Sequence, residues 1–192
     1  HGVMSVRSAE TGDLLLSSDW TAAYTTPMYV DLGDRELLVR CDGIHGVEAF
    51  DLDTGEQVWR TPGVLWEYFP GFSALVREGS RAFLAASTRN GVIRLLDLAD
   101  GAVICEYPLG PQAESRPLLT VAGADGDVLV MGTAGGELVG AAVEDGELRE
   151  RWRLSLGASV EFLAATDAAG GVVLVASTAD GRVCLVSCDA FR

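Results

Sequence analysis

The chain has 192 residues, of which 48% are hydrophobic and 23 are glycine, and its formal net charge is −14. This length and hydrophobicity exclude a disordered protein, because they are enough to bury a sizeable core. Nucleic acids and anionic membrane surfaces are disfavoured as partners, because both are bound by clustered basic side chains, and the acidic residues outnumber the basic ones by 28 to 14.

The predicted elements are β-strands along the whole chain, 1–192, which we expect to form a single all-β domain. Helical spacing of apolar residues is absent over any long stretch, and glycine interrupts too often for helices. The predicted strands number 17. They group in chain order as two strands in 1–19, four each in 22–61, 72–109 and 116–154, and three in 159–189.

Two kinds of turn recur with a period of about 45 residues, which is the period of four-stranded repeat units. Turn glycines recur at spacings of 43, 46 and 45 residues, at Gly12, Gly55, Gly101 and Gly146. A second turn lies upstream in each unit and contains Asn90-Gly91, Gly135-Gly136 or Asp180-Gly181, dipeptides that tolerate positive φ. A single four-stranded unit cannot bury its faces alone. The pattern therefore predicts a β-propeller with about four antiparallel blades in this chain.

The stretch VEAFDLDTGEQVWR, residues 47–60, contains Ala49, Asp51, Gly55 and Trp59 in the spacing A-x-D-x-x-x-G-x-x-x-W. This spacing resembles the tryptophan-docking motif of the PQQ-like, quinoprotein-type propeller repeat. The resemblance implies that Trp59 packs against the neighbouring blade, with Ala49 leaving room for the indole. Gly55 would permit the turn and Asp51 would cap it.

The other units carry this motif in a degenerate form. In the next unit Leu95 takes the position of the alanine and Gly101 that of the turn glycine, but Cys105 stands where the tryptophan is expected. In the third unit Gly140 takes the position of the alanine, and Trp152 falls two residues too late. WD-repeat and kelch signatures are absent, so the resemblance remains with the PQQ-like family, whose rings usually have seven or eight blades.

Seventeen strands do not match the 16 that a ring of four blades requires. Three arrangements remain open. The chain is a piece of a larger ring with seven or eight blades, or two copies complete one ring as a homodimer. In the third arrangement, an N-terminal strand joins the last blade and closes a small ring.

Aromatic residues in the connections between units are the candidate partner-binding residues. Trp66, Tyr68 and Phe69 lie in TPGVLWEYFPGF, residues 61–72, and Trp20 and Tyr24 lie in the preceding connection. Such side chains either anchor a protein or peptide or fill the gap between blades. A basic cluster, RERWR, is a further candidate for an acidic partner, since strand alternation would place Arg149, Arg151 and Arg153 on one face.

No catalytic set is apparent, so we expect no catalytic residues, no cofactor and no metal site. The chain lacks lysine, and a triad or a zinc site using histidine would depend on His45, which we interpret as a loop residue. DLDTG, residues 51–55, lacks the later ligands of a calcium loop and fits an Asp-rich turn. A PQQ site is disfavoured, because the adjacent cysteine pair of many quinoprotein dehydrogenases is missing.

The four cysteines, Cys41, Cys105, Cys184 and Cys188, have no CxxC spacing. Cys184 and Cys188 would lie about 13 Å apart on one strand face, too far for a disulfide. Free thiols and the absence of a long apolar stretch lead us to expect a cytoplasmic protein.

The function that these patterns favour is a non-catalytic interaction or scaffold module, which presents loop faces to a protein or peptide. The resemblance leaves an alternative, an accessory propeller of a larger enzyme such as an acyl-activating enzyme or a kinase with a sensor domain. Part of a PQQ-dependent dehydrogenase is a further, less favoured alternative.

Overall fold

The structure is a computed structural model that describes residues 2–20, 27–42, 46–62, 68–88, 90–110, 115–123, 126–168 and 171–187. Within these ranges 17 β-strands form antiparallel sheets of two, four, four, four and three strands. The described residues include no helix that is long and apolar enough to cross a membrane. The all-β prediction and the predicted strand number are therefore confirmed.

The chain divides into two compact units, and the first comprises residues 1–71 together with the turn 98–102. Its first sheet is the hairpin of β1 (Gly2–Arg7) and β2 (Leu14–Trp20). Its second sheet consists of β3 (Met28–Asp31), β4 (Glu36–Asp42), β5 (Gly46–Asp51) and β6 (Gln57–Thr61), paired in that order.

The second unit comprises residues 72–97 and 103–192. It holds most of the sheet β7 (Tyr68–Glu78), β8 (Arg81–Thr88), β9 (Val92–Asp97) and β10 (Val103–Pro108). The next sheet contains β11 (Ser115–Gly123), β12 (Gly126–Thr133), β13 (Glu137–Glu144) and β14 (Glu147–Ser155). The last consists of β15 (Val160–Ala168), β16 (Gly171–Thr178) and β17 (Val183–Ser187).

The sheets of the second unit stack face to face, because successive side chains of a strand point to opposite faces. Phe83 and Ile93 of the first stacked sheet pack with Met131 of the second sheet in one apolar cluster. The other face of the second sheet contributes Leu138 to a cluster with Leu174 of the last sheet. Each such fully buried side chain stabilises the fold by about 1.5–3 kcal/mol.

The first unit buries an ion pair on the face of its four-stranded sheet that also carries Leu38 and Phe50. Arg40 and Glu48 are cross-strand neighbours on β4 and β5, and both side chains are 6% exposed. The Nε of Arg40 donates to Glu48 Oε2 at 2.7 Å, and its guanidinium lies 5.2 Å from the centroid of the Phe50 ring. Arg60 Nε also lies 3.7 Å from Glu48 Oε1. Because Arg40 and Glu48 neutralise each other in a buried position, removing the carboxylate leaves a buried positive charge that has lost its counter-charge.

We predict that Glu48→Leu lowers the free energy of unfolding by about 3–5 kcal/mol, because it leaves the buried Arg40 charge without its carboxylate. Arg40→Met combined with Glu48→Leu should recover most of this loss, since no buried charge is then left unpaired. Urea unfolding measures both. Glu147→Ala, at an exposed ion pair with Arg149, is the control and should cost about 0–1 kcal/mol. If Glu48→Leu lowers the free energy of unfolding by no more than Glu147→Ala does, the prediction is contradicted.

Candidate interaction surfaces

The aromatic residues predicted to bind a partner fall almost entirely outside the described part of the structure. Trp66 and Tyr24 lie outside the described residues, and only the backbone is described at Trp20, Tyr68 and Phe69. That backbone corrects one expectation. Tyr68 and Phe69 begin strand β7 and Trp20 ends strand β2, whereas the sequence pattern placed all three in connections.

Trp59 docks on the turn 98–102. It lies on β6 directly opposite Ala49 of β5, and its side chain is buried. The indole Nε1 donates to the backbone oxygen of Leu98 at 3.0 Å. The ring covers Gly101, where a Cβ atom would come within 2.5 Å of Trp59 Cε3. Thr61 adds a hydrogen bond from its Oγ1 to the backbone oxygen of Gly101. The docking therefore needs both the indole and a glycine.

The turn that precedes Trp59 is held by Asp51. Its Oδ1 accepts hydrogen bonds from the backbone N–H of Thr54 at 2.8 Å and of Asp53 at 3.0 Å. These bonds, led by the one from Thr54, hold the pKa of the Asp51 carboxyl below its usual value. Gly55 has a φ of 73° and donates its N–H to the Asp51 backbone oxygen at 2.8 Å. Asp51 thus stabilises a turn, the role that the motif implied.

The position of Ala49 recurs in the next two sheets with matched side-chain sizes. Leu95 lies opposite Cys105, and Gly140 lies opposite Trp152. A Cβ on Gly140 would collide with the indole of Trp152. In two of the three sheets a small residue at this position therefore faces a tryptophan. In the third sheet a leucine at this position faces the smaller cysteine. The sum of the two volumes is kept roughly constant, as close packing requires.

The late position of Trp152 in the sequence does not displace it in the sheet. The cross-strand pair next to the tryptophan is Phe50–Gln57 in the first unit and Ala141–Glu150 in the second. The segment that this pair encloses is two residues longer in the later sheet, because its strands continue to pair as far as Glu144 and Glu147. The offset seen in the sequence is absorbed there, and Trp152 faces Gly140 as Trp59 faces Ala49. Spacing from the turn glycine is therefore a poor guide to strand register.

The arginines of β14 do not form a free basic patch. A bulge at Arg151 puts Arg149 and Arg153 on opposite faces of the sheet, so the prediction that all three share one face is wrong. All three are paired with glutamate. Arg153 Nη1 lies 2.7 Å from Glu137 Oε2, Arg149 Nη2 lies 3.2 Å from Glu147 Oε2, and Arg151 pairs with Glu144. Their charge is neutralised locally.

A tyrosine joins this network from the neighbouring sheet of the second unit. The hydroxyl of Tyr107 donates to Glu150 Oε2 at 2.7 Å, and Arg153 Nη2 lies 2.8 Å from the same oxygen. Burial, with the bond to Glu150, raises the pKa of Tyr107 from 10.0 to about 12. The hydrogen bonds from Arg153 lower the pKa of the Glu150 carboxyl. The network ties β10 to β14.

Repeated threonines, which the sequence reasoning missed, hold the turns between the second and third strands of three sheets. Thr88 and Thr133 are buried, and their Oγ1 atoms accept the N–H of Val92 at 3.2 Å and of Glu137 at 2.9 Å. The buried Thr178 takes the same place in the last sheet and accepts the N–H of Gly181 on its backbone oxygen. The signal was present in the sequence as T-x-x-G, repeated every 45 residues.

One face of the last sheet is apolar and exposed. Phe162, Val183 and Leu185 are 56%, 67% and 71% exposed, and they are three of the seven large hydrophobic residues described as exposed. Val183 faces Ser177 and Leu185 faces Val175 across β16, so these side chains share one face. The alternate residues, among them Cys184 and Val186, pack into the core on the other face. Clustered exposure of this kind makes this face a candidate interaction surface.

The described residues hold no cluster of three or more histidine, cysteine, aspartate or glutamate side chains that could bind a metal ion. Among the described residues, Cys41, Cys105 and Cys184 form no disulfide. Burial raises the pKa of the Cys105 thiol, which makes it a poor nucleophile. Both His45 and Cys188 lie outside the described residues.

We predict that Gly101→Ala destabilises the protein more than Gly12→Ala. The two glycines have nearly equal φ, 76° and 77°, so the backbone cost of about 1–2 kcal/mol is shared. A Cβ on Gly12 meets nothing within 4 Å, whereas one on Gly101 meets the Trp59 indole. Gly101→Ala should therefore cost about 1–3 kcal/mol more. Urea unfolding of both variants measures the difference, and equal losses would show that the indole does not pack there.

We predict that the stability of the protein falls as the pH rises from 10 toward 12, in part through Tyr107. The pKa of Tyr107 is about 12 in the folded protein and 10.0 in the unfolded chain, so the folded state keeps the phenol protonated to higher pH. The contribution of Tyr107 to the free energy of unfolding is therefore complete below pH 10 and is lost as the pH rises to about 12. Tyr107→Phe should reduce the fall measured by urea unfolding across this range. An unchanged pH dependence in the variant would contradict the assignment.

Three of the solved structures with a similar fold are β-propellers about twice as long as the chain. Sqt1 of Saccharomyces cerevisiae aligns with a TM-score of 0.72 at 16% identity, over 99% of this chain and 54% of Sqt1. BamB of Moraxella catarrhalis aligns with a TM-score of 0.66 at 16% identity, over 100% of this chain and 54% of BamB. BBS1N, solved in complex with ARL6DN, aligns with a TM-score of 0.65 at 14% identity, over 86% of this chain and 51% of BBS1N.

The chain thus spans about half the length of these structures, and at such identities the likeness shows the fold. No curated protein has a significant sequence match to the chain. A family model of PQQ-type repeats, described as outer membrane protein assembly factor BamB, matches residues 2–117 and 89–190. Because these two matches cover nearly every residue, the chain belongs to the PQQ-like β-propeller repeat family.

Proposed function

We propose that the chain is a non-catalytic propeller module that binds a protein or peptide through its loop faces. The observation that supports a partner is the concentration of exposed apolar side chains on the last sheet, at Phe162, Val183 and Leu185. The loop faces are proposed from the aromatic residues that the sequence pattern predicts in the connections between units. Exposed patches of this kind in a soluble fold are commonly interaction surfaces. Aromatic residues such as Trp66 in the predicted connections add candidate anchors for a partner.

Turns and side chains that are fixed by hydrogen bonds support this role. The turns at Thr88, Thr133 and Thr178 are fixed by hydrogen bonds, and Trp59 is fixed on the turn 98–102. Binding residues on loops are effective when a rigid scaffold positions them, because less conformational entropy is lost on association. The propeller supplies such a scaffold.

The comparisons give further support for a protein partner. BBS1N was solved in complex with ARL6DN, and the matching family model is described as an assembly factor. Neither description transfers a particular partner to this chain. Both are consistent with a propeller whose task is to hold another polypeptide.

The test is a selection of binding peptides from a displayed random library on the immobilised protein, followed by affinity measurements on Trp66→Ala. We expect the selected peptides to lose at least about tenfold in affinity, which corresponds to about 1.4 kcal/mol for an aromatic anchor. Leu14→Ala, which removes another exposed apolar side chain, is the matched control and should leave binding unchanged. Peptides that bind Trp66→Ala as tightly as the unaltered protein would contradict loop-face binding.

A further inference from the structure

An aromatic side chain is exposed at one end of the sheet β3–β6 in the first unit. Tyr29 lies on β3 and is 56% exposed. Its hydroxyl donates to Glu36 Oε1 at 2.8 Å, so a hydrogen bond fixes the direction of the ring. The same bond, with the negative charge of Asp31 nearby, raises the pKa of Tyr29 and keeps the phenol neutral. A neutral ring of fixed direction therefore lies exposed beside a carboxylate.

Two turns of the sheet β3–β6 lie at this end. Residues 31–36 connect β3 to β4 and residues 51–56 connect β5 to β6. Because consecutive strands run antiparallel, both turns leave the sheet on the same side. The backbone N–H of Leu52 donates to the Glu36 oxygen at 3.0 Å, which joins the two turns directly.

Two further turns of the first unit lie at the same end. The Nη2 of Arg35 donates to a backbone oxygen of the turn 98–102. The turn 8–13 of the β1–β2 hairpin follows Val6, which packs in one apolar cluster with Leu52. Leu14, which begins β2 directly after this turn, is 52% exposed. Both exposed large hydrophobic residues described in the first unit therefore border these turns.

These turns concentrate negative charge. We call residues 7–14, 31–36, 51–56 and 98–102 the acidic turn surface. Its nine carboxylates belong to Glu10, Asp13, Asp31, Asp34, Glu36, Asp51, Asp53, Glu56 and Asp100. With two arginines, Arg7 and Arg35, its net charge is −7, which is half of the −14 of the whole chain. Both arginines donate to backbone oxygens of these turns, Arg7 to that of Gly12 at 2.9 Å.

We propose that the acidic turn surface binds a basic segment of a protein partner, with an arginine of that segment stacked on the Tyr29 ring beside Glu36. The inference rests on the proposed role in protein binding, and it names a surface and the chemistry of the partner. The face of an aromatic ring attracts a guanidinium group, and a neighbouring carboxylate accepts its N–H donors. Lysine supplies the charge but not the planar group that stacks on a ring.

Charge complementarity selects this occupant over others. A second copy of the chain, docked through the same surface, would bring another net charge of −7 against the first. Like charges brought together in an interface cost free energy, whereas a basic segment gains it and associates faster. Nucleic acids and anionic membranes are repelled for the same reason. The exposed Tyr29 and Leu14 side chains supply the apolar contacts that charge alone lacks.

The probes are two fluorescent peptides, GRGRGRG and GKGKGKG, measured by fluorescence anisotropy on the 192-residue protein at low salt. The arginine peptide should bind about two- to fivefold more tightly than the lysine peptide. Tyr29→Ala should remove this preference, whereas Tyr29→Phe, which keeps the ring, should retain it. Glu36→Gln should weaken binding of the arginine peptide by about two- to fivefold. Glu161→Gln removes an exposed carboxylate from β15 in the second unit and is the matched control, with less than about a twofold effect.

Three outcomes would overturn the proposal. These are equal affinity for the two peptides, a preference that survives Tyr29→Ala, and a loss in Glu161→Gln as large as that in Glu36→Gln. The last would mean that the total charge of the protein attracts the peptide without a defined surface. Circular dichroism checks that the variants fold, and Glu36→Gln tests the surface without altering the ring.

Failure of this inference is distinguishable from failure of the proposed function. Strand β6 leads away from the turn 51–56, so the chain leaves the sheet at its other end after Thr61. Trp66 follows in that connection and can be varied without altering Tyr29. Trp66-dependent peptides retained without arginine-specific binding would overturn only the inference about the acidic turn surface. Absence of both kinds of binding would overturn the proposed function as well.

Discussion

The structure depends on sheets that are apolar on both faces. In the sheet β11–β14, Met131 packs on one neighbouring sheet and Leu138 packs on the other. Such a sheet has no face that water can solvate well, so it is stable only between two others. This constraint explains both the repetition of the unit along the chain and the exposed face that appears where the described stack ends.

Specific contacts hold the faces in register, and they differ from sheet to sheet. The first unit uses an indole over a glycine, at Trp59 and Gly101, with a hydrogen bond to Leu98. In the sheet β7–β10 Cys105 stands at the position of the tryptophan, and polar contacts join this sheet to the sheet β11–β14. The backbone N–H of Asp145 donates to Glu78 at 2.6 Å, and Tyr107 donates to Glu150. Degeneracy of the motif thus reflects replacement of one docking contact by others.

The candidate surfaces were only partly predictable. The sequence indicated the blade-like units and the motif around Trp59, because local turn chemistry and strand alternation repeat. The sharing of one face by Arg149 and Arg153 was predicted wrongly, because a bulge at Arg151 reverses the alternation and no local pattern announces it. The exposed face at Val183 and Leu185 was not recognised, since their sequence resembles that of buried strands and exposure depends on which neighbours are present.

The sequence by itself determined the all-β architecture, the number of strands and the places of the turns, since these follow from hydrophobic periodicity and from glycines near the chain positions where they act. Only the tertiary structure decided which side chains meet. The pairing of Gly140 with Trp152 and the burial of Arg40 with Glu48 depend on the register of neighbouring strands, and the exposure of Leu185 depends on how the described sheets stack. Such contacts are set by register and by stacking, which short-range patterns do not encode.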